Sequence, residues 1–123
     1  MIYFENLPTL WSFYSQNRRE NIALDGKEGT WSYHQLDVTS NQLAHWFLSI
    51  GISKGDVVAI FNRKKFISYA TMLACIKLGV AYVNLDMRNP IIRLARVLDK
   101  CKPKIVLDDG EMPECVEHLI ETS

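Results

Sequence analysis

Three polar side chains stand at positions where the chain leaves a short apolar run. Asn62, Asp86 and Asp108 each follow such a run, which has the length of a β-strand. If the runs are parallel strands, these side chains lie at the edge where open α/β sheets bind ligands. A polar row of this kind fits a binding crevice, but it also fits loops that are polar because they are solvated, and the second interpretation is commoner.

The other residue types give little indication of a phosphate-binding, catalytic or metal-binding site. The glycines are single and fit neither a dinucleotide-binding motif nor a phosphate loop, and no serine lies in a nucleophile elbow. The histidines have no partner at metal-ligand spacing, and the cysteines have no base nearby in sequence. We therefore assign no catalytic, cofactor-binding or metal-binding residue. The residues considered are Gly51, Gly55, Gly79, His34, His45, His118, Cys75 and Cys101.

A run of three cations, Arg63-Lys64-Lys65, follows an apolar run and opens a predicted helix. These residues could contact a phosphate, but cations at a helix N-terminus oppose the helix dipole. The run therefore fits a solvated or partner-facing loop better. The tryptophans Trp11, Trp31 and Trp46 are dispersed, which favours structural anchoring.

The composition limits the class of protein. The 123 residues are 48% hydrophobic and 23% charged, and 14 basic residues balance 14 acidic ones. A balanced charge argues against nucleic acid or an anionic membrane as a partner. The odd number of cysteines, with Cys115 as the third, indicates free thiols rather than disulfides or zinc. Without a visible signal peptide or an apolar stretch long enough to span a bilayer, the sequence predicts a cytoplasmic protein.

The centre of the chain predicts a β-α-β unit. Val57–Phe61 and Ala81–Leu85 are apolar runs without in/out alternation, so we expect parallel strands covered on both faces. The segment Lys65–Leu78 between them is apolar almost all round and should be a crossover helix between other elements. We expect it to bury Phe66, Leu73 and Ile76.

The residues before this unit predict two helices and a hairpin. A short helix runs from Thr9 to about Gln16, and a hairpin pairs Ile22–Asp25 with Thr30–Ser32. Ser32 and Gln35 fit a capping box, with Trp31 as a hydrophobic staple on Leu36, and Gly51 ends the helix. The expected apolar stripe consists of Leu36, Ser40, Leu43, Phe47 and Ile50.

The residues after it predict a third helix that Asn89 caps and Pro90 opens, with Ile91, Leu94 and Leu98 facing inward. Lys104–Leu107 is a third short strand, and Pro113–Glu121 is a last amphipathic segment. The predicted fold is α/β: a β-hairpin followed by α-β-α-β-α-β-α with a short parallel sheet and Rossmann-like layering. Residues 1–123 form one unit, with a helix and hairpin in 1–33 and the α/β part in 34–121.

Three motifs stand in order along the chain, at Thr30–Leu36, Gly55–Ile60 and Cys75–Asp86. The first looks like the first core motif of the adenylate-forming ligases, the second like that family's G-D-x-V-A-[IL] strand, and the third like its L-K-A-G-x-A-Y-V-P-[IL]-D motif. The chain therefore resembles this superfamily of acyl-CoA synthetases, nonribosomal peptide adenylation domains and luciferases. The similarity continues through Arg88 and the following helix to Leu107. Two positions differ from the common pattern: Asn84 stands where proline is frequent, and Gln35 stands where glutamate is frequent.

The resemblance implies the first part of the family's large N-terminal domain. It implies an ATP-dependent, AMP-forming ligase for carboxylic acids, with ATP and magnesium as cofactors of the complete enzyme. The family's phosphate loop, its nucleotide- and magnesium-binding residues and its lid lysine match nothing here. We therefore expect a scaffold that is inactive alone, either an excised piece or one chain of a split enzyme. The acid and the thiol acceptor stay open.

A stand-alone interaction module derived from the same fold is the alternative, and a small nucleotide-binding protein is a weaker third interpretation. The expected partner is the remainder of the ligase or a second copy of the chain. The outer face of the central helix, with Ile67 and Tyr69, is one expected contact surface. The other is the terminal segment with Val116, Leu119 and Ile120.

Overall fold

The computed structural model of the chain describes Trp11 and residues 16–86 and 88–110. Most of the helix predicted from Thr9 lies outside these residues, as does the whole segment Pro113–Glu121. The described elements are two antiparallel strands, three helices and three parallel strands. The mixed α/β class predicted from the sequence is therefore confirmed.

The first two strands form the predicted hairpin. Strand β1 (Ile22–Gly26) pairs antiparallel with β2 (Gly29–Ser32), and Gly26 stands opposite Gly29. Gly29 has a φ of +115°, a value that residues with a side chain rarely adopt. The connection therefore consists of Lys27 and Glu28, two residues fewer than the predicted loop of residues 26–29.

Helix α1 (Tyr33–Ser49) begins with the predicted capping box. The Gln35 amide donates to Ser32 Oγ at 3.1 Å, and the Ser32 amide donates to Gln35 Oε1 at 2.8 Å. The Trp31 ring packs edge-on against Phe66 with ring centroids 5.4 Å apart, and its staple on Leu36 stays a prediction. The helix is therefore fixed at its start by local hydrogen bonds.

The apolar stripe of α1 is confirmed except at its end. Leu36, Ser40, Leu43 and Phe47 are buried, whereas Ile50 is 43% exposed. Ile50 is the C-cap, so the chain turns away there through Gly51, which has a φ of +87°. The buried isoleucine after the turn is Ile52.

The three parallel strands form a second sheet. Strand β3 (Val57–Phe61) lies between β4 (Ala81–Leu85) and β5 (Ile105–Asp108), and Val58 stands beside Tyr82 and Ile105. The predicted parallel pairing of β3 and β4 is confirmed. The prediction that β4 is covered on both faces is wrong, because only its last residue, Leu85, is buried. β4 is one of the two outer strands of this sheet, whereas the central strand β3 is buried at its three middle residues.

Helix α2 (Phe66–Leu78) packs against α1 and forms the main core with it and β3. Phe66 is buried, as predicted, and Leu73 and Ile76 are half-buried. The prediction that Ile67 lies on an outer face is wrong, because Ile67 is 8% exposed, whereas Tyr69 is 38% exposed. Gly79 ends the helix with a φ of +71°.

Helix α3 (Ile91–Cys101) is the least covered of the three helices, and none of its residues is buried. Leu94 and Leu98 are half-buried, but Ile91 is 84% exposed, so the prediction that Ile91 faces inward is wrong. The expected Asn89 cap is also wrong: Pro90 is the N-cap residue, and no side chain caps the helix. None of these helices is long and apolar enough to cross a membrane.

Candidate functional site

The three sequence-predicted polar residues lie at the carboxyl edge of the sheet, as expected from parallel strands. Each is engaged with a neighbour of its own. Asn62 Nδ2 donates to Asn84 Oδ1 at 3.0 Å, and the guanidinium of Arg88 donates to both oxygens of Asp86. Asp108 accepts from both terminal nitrogens of Arg63. The edge therefore brings the three residues together as separate pairs, without a shared centre.

The ion pairs fix the charge states at this edge. Hydrogen bonds from the side chain and then the backbone of Arg88 lower the pKa of Asp86 to about 2. Hydrogen bonds from the Arg63 side chain and the Gly110 amide lower the pKa of Asp108. The hydrogen bond to Asp108 in turn raises the pKa of Arg63. Both carboxylates are thus ionised at neutral pH, and neither is suited to donate a proton there.

A cleft of about 490 Å³ opens between the carboxyl ends of β3 and β4. The loop after β3 leads to α2, and the loop after β4 leads to α3. The cleft is lined by Asn62, Arg63, Lys64, Asn84, Leu85, Asp86 and Arg88. Three of these side chains are cations and one is an anion, so the cleft has an excess of positive charge although the chain as a whole has none.

The loop between β3 and α2 is held by a carboxylate that the sequence analysis did not single out. Asp109 follows β5, is 1% exposed, and accepts from the Arg63 amide at 2.7 Å through Oδ2. The same oxygen accepts from the Lys65 amide at 3.3 Å and from Ser68 Oγ at 2.9 Å. Lys64, between the two amides, has a φ of +64°.

A second distant carboxylate completes this helix start. Glu28, in the hairpin turn, accepts from the Phe66 amide at 2.8 Å through Oε2. Lys65 is the N-cap of α2 and provides no side-chain cap of its own. Two carboxylates therefore offset the helix dipole and the neighbouring cations, which explains how Arg63-Lys64-Lys65 can stand at a helix N-terminus.

A polar cluster also joins α1 to α2. Lys77 Nζ donates to Asp37 Oδ1 at 2.7 Å, to Ser40 Oγ at 2.8 Å and to Asn41 Oδ1 at 2.7 Å. Trp11 Nε1 donates to the same Asp37 oxygen at 2.7 Å. Burial acts to raise the pKa of Asp37, but the hydrogen bonds from Lys77 and Trp11 outweigh it, so the pKa is lowered.

The described residues show no sign of a metal or nucleophile site. No three of their His, Cys, Asp and Glu side chains form a group that could hold a metal ion. Burial raises the pKa of the Cys75 thiol to about 12, which keeps it protonated. His34 lies beside Arg19 Nη2 at 3.2 Å, and His45 is exposed. Cys115 and His118 lie outside the described residues.

The sequence held no local signal for Asp109 or Glu28. Their partners are 38 to 46 residues away along the chain, so only the tertiary fold connects them. In the sequence, Asp109 is one of two adjacent aspartates that follow the third predicted strand. The burial of Asp109 next to the half-buried Asp108 is what distinguishes the two carboxylates.

The chain matches one family of known proteins. Residues 12–122 match the AMP-binding enzyme family. Malformin synthetase mlfA of Aspergillus niger is 35% identical over 109 residues, which is 89% of this chain and 2% of that protein. Gramicidin S synthase 1 of Brevibacillus brevis is 30% identical over 102 residues, which is 83% of this chain and 9% of that protein. The chain thus spans less than a tenth of these relatives.

Solved structures share the fold. An artificially fused adenylation–PCP di-domain, NpsA-ThdA of Klebsiella oxytoca, superposes with a TM-score of 0.80 at 24% identity, over 88% of this chain and 20% of that one. VinN, solved with 3-methylaspartate, superposes with a TM-score of 0.86 at 17% identity, over 98% of this chain and 39% of that one. These likenesses concern the fold alone.

Proposed function

The chain belongs to the AMP-binding enzyme family, and on that premise we propose that it provides scaffold, without catalytic residues, for an ATP-dependent ligase that activates a carboxylic acid as its adenylate. Its fold corresponds to the N-terminal part of an adenylation domain. The match over residues 12–122 is the observation that carries the proposal.

The role of scaffold is supported by how the polar residues are used. At the carboxyl edge, the side chains that could contact a ligand are paired with one another, namely Asn62 with Asn84, Asp86 with Arg88 and Asp108 with Arg63. ATP and magnesium are proposed for the complete ligase, in which other segments hold them. Amino acids are the favoured class of acid, because the relatives include gramicidin S synthase 1 and an adenylation–PCP di-domain.

The proposed partner is the remainder of the ligase or a second copy of the chain, rather than nucleic acid. Apolar side chains on α3 and the outer strands support a covering partner: Ile91 is 84% exposed, Ile92 70%, Val106 44% and Tyr82 37%. Monomeric soluble proteins seldom leave a contiguous apolar patch of more than a few hundred Å². The free thiols Cys75 and Cys101 fit a reducing compartment, so we propose a cytoplasmic location.

The first test is amino-acid-dependent exchange of pyrophosphate into ATP. We expect no exchange from the purified chain. We expect exchange when the chain is mixed with an adenylation domain of gramicidin S synthase 1 from which the matching segment has been deleted. The control is the chain with Phe47→Asp, which places a charge in the core and should not complement. Exchange by the isolated chain, abolished by Asp86→Asn, would favour a small nucleotide-binding enzyme instead.

Association is tested separately by sedimentation at several concentrations. We expect self-association of the isolated chain, or a stable complex with the complementary fragment, that Ile92→Asp weakens. Lys100→Asp is the matched control, because it puts the same charged side chain at another exposed position of α3. A monomer at all concentrations that binds no fragment, with Ile92→Asp changing neither mass nor stability, would contradict the proposed covering partner.

A further inference from the structure

The two faces of the parallel sheet are covered to different extents. On one face, Val58, Ile60 and Leu107 belong to the core that α1 and α2 share. Successive residues of a strand point to opposite faces, so Ala59 and Val106, which stand side by side in β3 and β5, lie on the other face. Ala59 is 1% exposed there, whereas Val106 is 44% exposed. This second face is therefore covered over the central strand and open over β5.

Helix α3 borders the open part of this face. Crossovers between parallel strands are right-handed, and β4 and β5 lie on opposite sides of β3, so α3 belongs on the face opposite to α2. A helix turns by about 100° per residue, which places Ile91, Ala95 and Leu98 on one flank of α3. The same handedness directs this flank toward β5. Ile91 and Ala95 are exposed and Leu98 is half-buried, so the flank continues the apolar area of Val106.

We call Ile91, Ala95, Leu98 and Val106 the α3–β5 surface. The chain itself provides a segment of matching character, since residues 111–123 follow directly after the last described residue, Gly110. Within them, apolar and acidic side chains recur at steps of three and four residues on opposite sides of a helix. The apolar ones are Val116, Leu119 and Ile120, and the acidic ones are Glu114, Glu117 and Glu121. We propose that Pro113–Glu121 forms an amphipathic helix that docks on the α3–β5 surface.

The length and the direction of this segment fit the surface. Residues 109–112 connect it to β5, a loop within the range of about 2–6 residues that joins strands to helices. A helix over residues 113–121 is about 13 Å long, which equals the length of a four-residue strand such as β5. Because it begins at the carboxyl end of β5, it runs back along the sheet beside α3. Its glutamates then remain in water.

The inference goes beyond the proposed function, because it concerns a contact within the chain and requires neither ATP nor the remainder of a ligase. It divides the exposed apolar residues that support a covering partner. Ile91 and Val106 are covered by the chain itself, whereas Ile92 and Tyr82 stay available to a partner. Failure of complementation would therefore leave this inference intact, and its own failure would leave complementation possible.

The experiment measures nuclear Overhauser contacts between methyl groups in the full chain. In the wild type we expect contacts from Val106 to Val116, Leu119 or Ile120. A mixture of isotope-labelled and unlabelled chains identifies their origin, because a contact within one chain joins two labelled methyl groups, whereas a contact between copies also joins a labelled group to an unlabelled one. We expect contacts within one chain only, at every protein concentration.

Leu119→Asp should abolish these contacts and lower the melting temperature by about 6–12 °C, because an aspartate cannot replace leucine on an apolar surface without losing its hydration. His118→Asp is the matched control, since it puts the same side chain at the neighbouring position but outside the apolar stripe. It should keep the contacts and a melting temperature within about 2 °C of the wild type.

Three results would overturn the inference. The first is a folded wild type in which Val106 contacts no residue of Pro113–Glu121. The second is contacts between labelled and unlabelled chains, which would assign the surface to a second copy. The third is an equal effect of Leu119→Asp and His118→Asp. If Leu119→Asp does not fold, the contacts in the wild type decide by themselves.

Discussion

Replacing Lys77 by methionine should destabilise the fold far more than removing a surface charge. Methionine keeps most of the apolar stem but removes the ammonium group, of which all three donors are used, on Asp37, Ser40 and Asn41. Among the described residues, the Trp11 indole would be the side-chain donor that the Asp37 carboxylate keeps. The side chains of Lys77 and Asp37 are 15% and 29% exposed, so water can replace the lost hydrogen bonds only in part.

The expected loss in the free energy of unfolding is about 2–3 kcal/mol. A hydrogen bond to a charged group contributes about 1.5–3 kcal/mol, and breaking a fully buried ion pair costs about 3–5 kcal/mol. Because Asp37 is partly exposed, the loss expected for this pair lies in the lower of these two ranges. For a domain of this size, that loss lowers the melting temperature by about 8–12 °C.

Urea unfolding at neutral pH measures the effect, with Lys100→Met on the exposed side of α3 as the control, expected within about 0.5 kcal/mol of the wild type. Adding Asp37→Asn to Lys77→Met should cost less than the sum of the two single changes, because the second removes the unpaired carboxylate. Equal stabilities of Lys77→Met and Lys100→Met, or strictly additive losses in the double variant, would refute this account of the α1–α2 contact.

Four further outcomes follow from the same structure. The pKa of Asp37 in the folded state lies below its unfolded value of 3.8, so the stability that Asp37 contributes is present above pH 3.8 and is lost as the pH falls through the folded pKa. The free energies of unfolding of the wild type and of Lys77→Met, measured at a series of acid pH values, should therefore converge below about pH 4. Leu43→Ala should cost about 2–5 kcal/mol in urea unfolding, because Leu43 is fully buried, whereas Leu48→Ala, at a residue 54% exposed, should cost far less; equal losses would contradict the assigned core. Cys75 should react with a thiol reagent only under unfolding conditions, since its thiol is buried and its pKa is about 12. Detection by mass spectrometry of the reagent on Cys75 in native protein would disprove this. Gly79→Ala should lower stability by about 1 kcal/mol or more, because Gly79 ends α2 with a φ of +71°, and a melting temperature equal to that of the wild type would refute that constraint.

Local patterns predicted the elements of this fold well. The runs Val57–Phe61 and Ala81–Leu85 are the strands β3 and β4 to the residue, and the capping box of Ser32 and Gln35 is present in full. Each of these signals depends on neighbours a few residues away. Burial depends on the order of strands in the sheet, which no local pattern contains. The exposure of β4 was mispredicted for that reason. The exposure of Ile91 was mispredicted because a helical pattern does not show which residues another element covers.

In the candidate site, too, some features follow from local sequence patterns and others depend on the tertiary fold. Parallel pairing was enough to predict that Asn62, Asp86 and Asp108 share an edge, but it could not predict that each would be paired with a neighbour. The partner of Asn62 is 22 residues away, and that of Asp108 is 45 residues away. Asp109 and Glu28 reach the start of α2 across similar separations, so they became visible only in the folded structure.

The sheet order β4-β3-β5 also has a consequence for the time course of folding. Strand β3 can pair with β4 as soon as α2 and β4 are made, whereas the β5 side of β3 stays open until α3 and β5 have been synthesised. Asp109 arrives directly after β5 and holds the residues that begin α2. During synthesis on the ribosome, the start of α2 therefore lacks its Asp109 contact until the last described strand emerges. A ribosome-bound chain that stops before β5 should expose an unpaired edge of β3, which makes this interval the one in which the nascent chain is most open to aggregation and to chaperone binding.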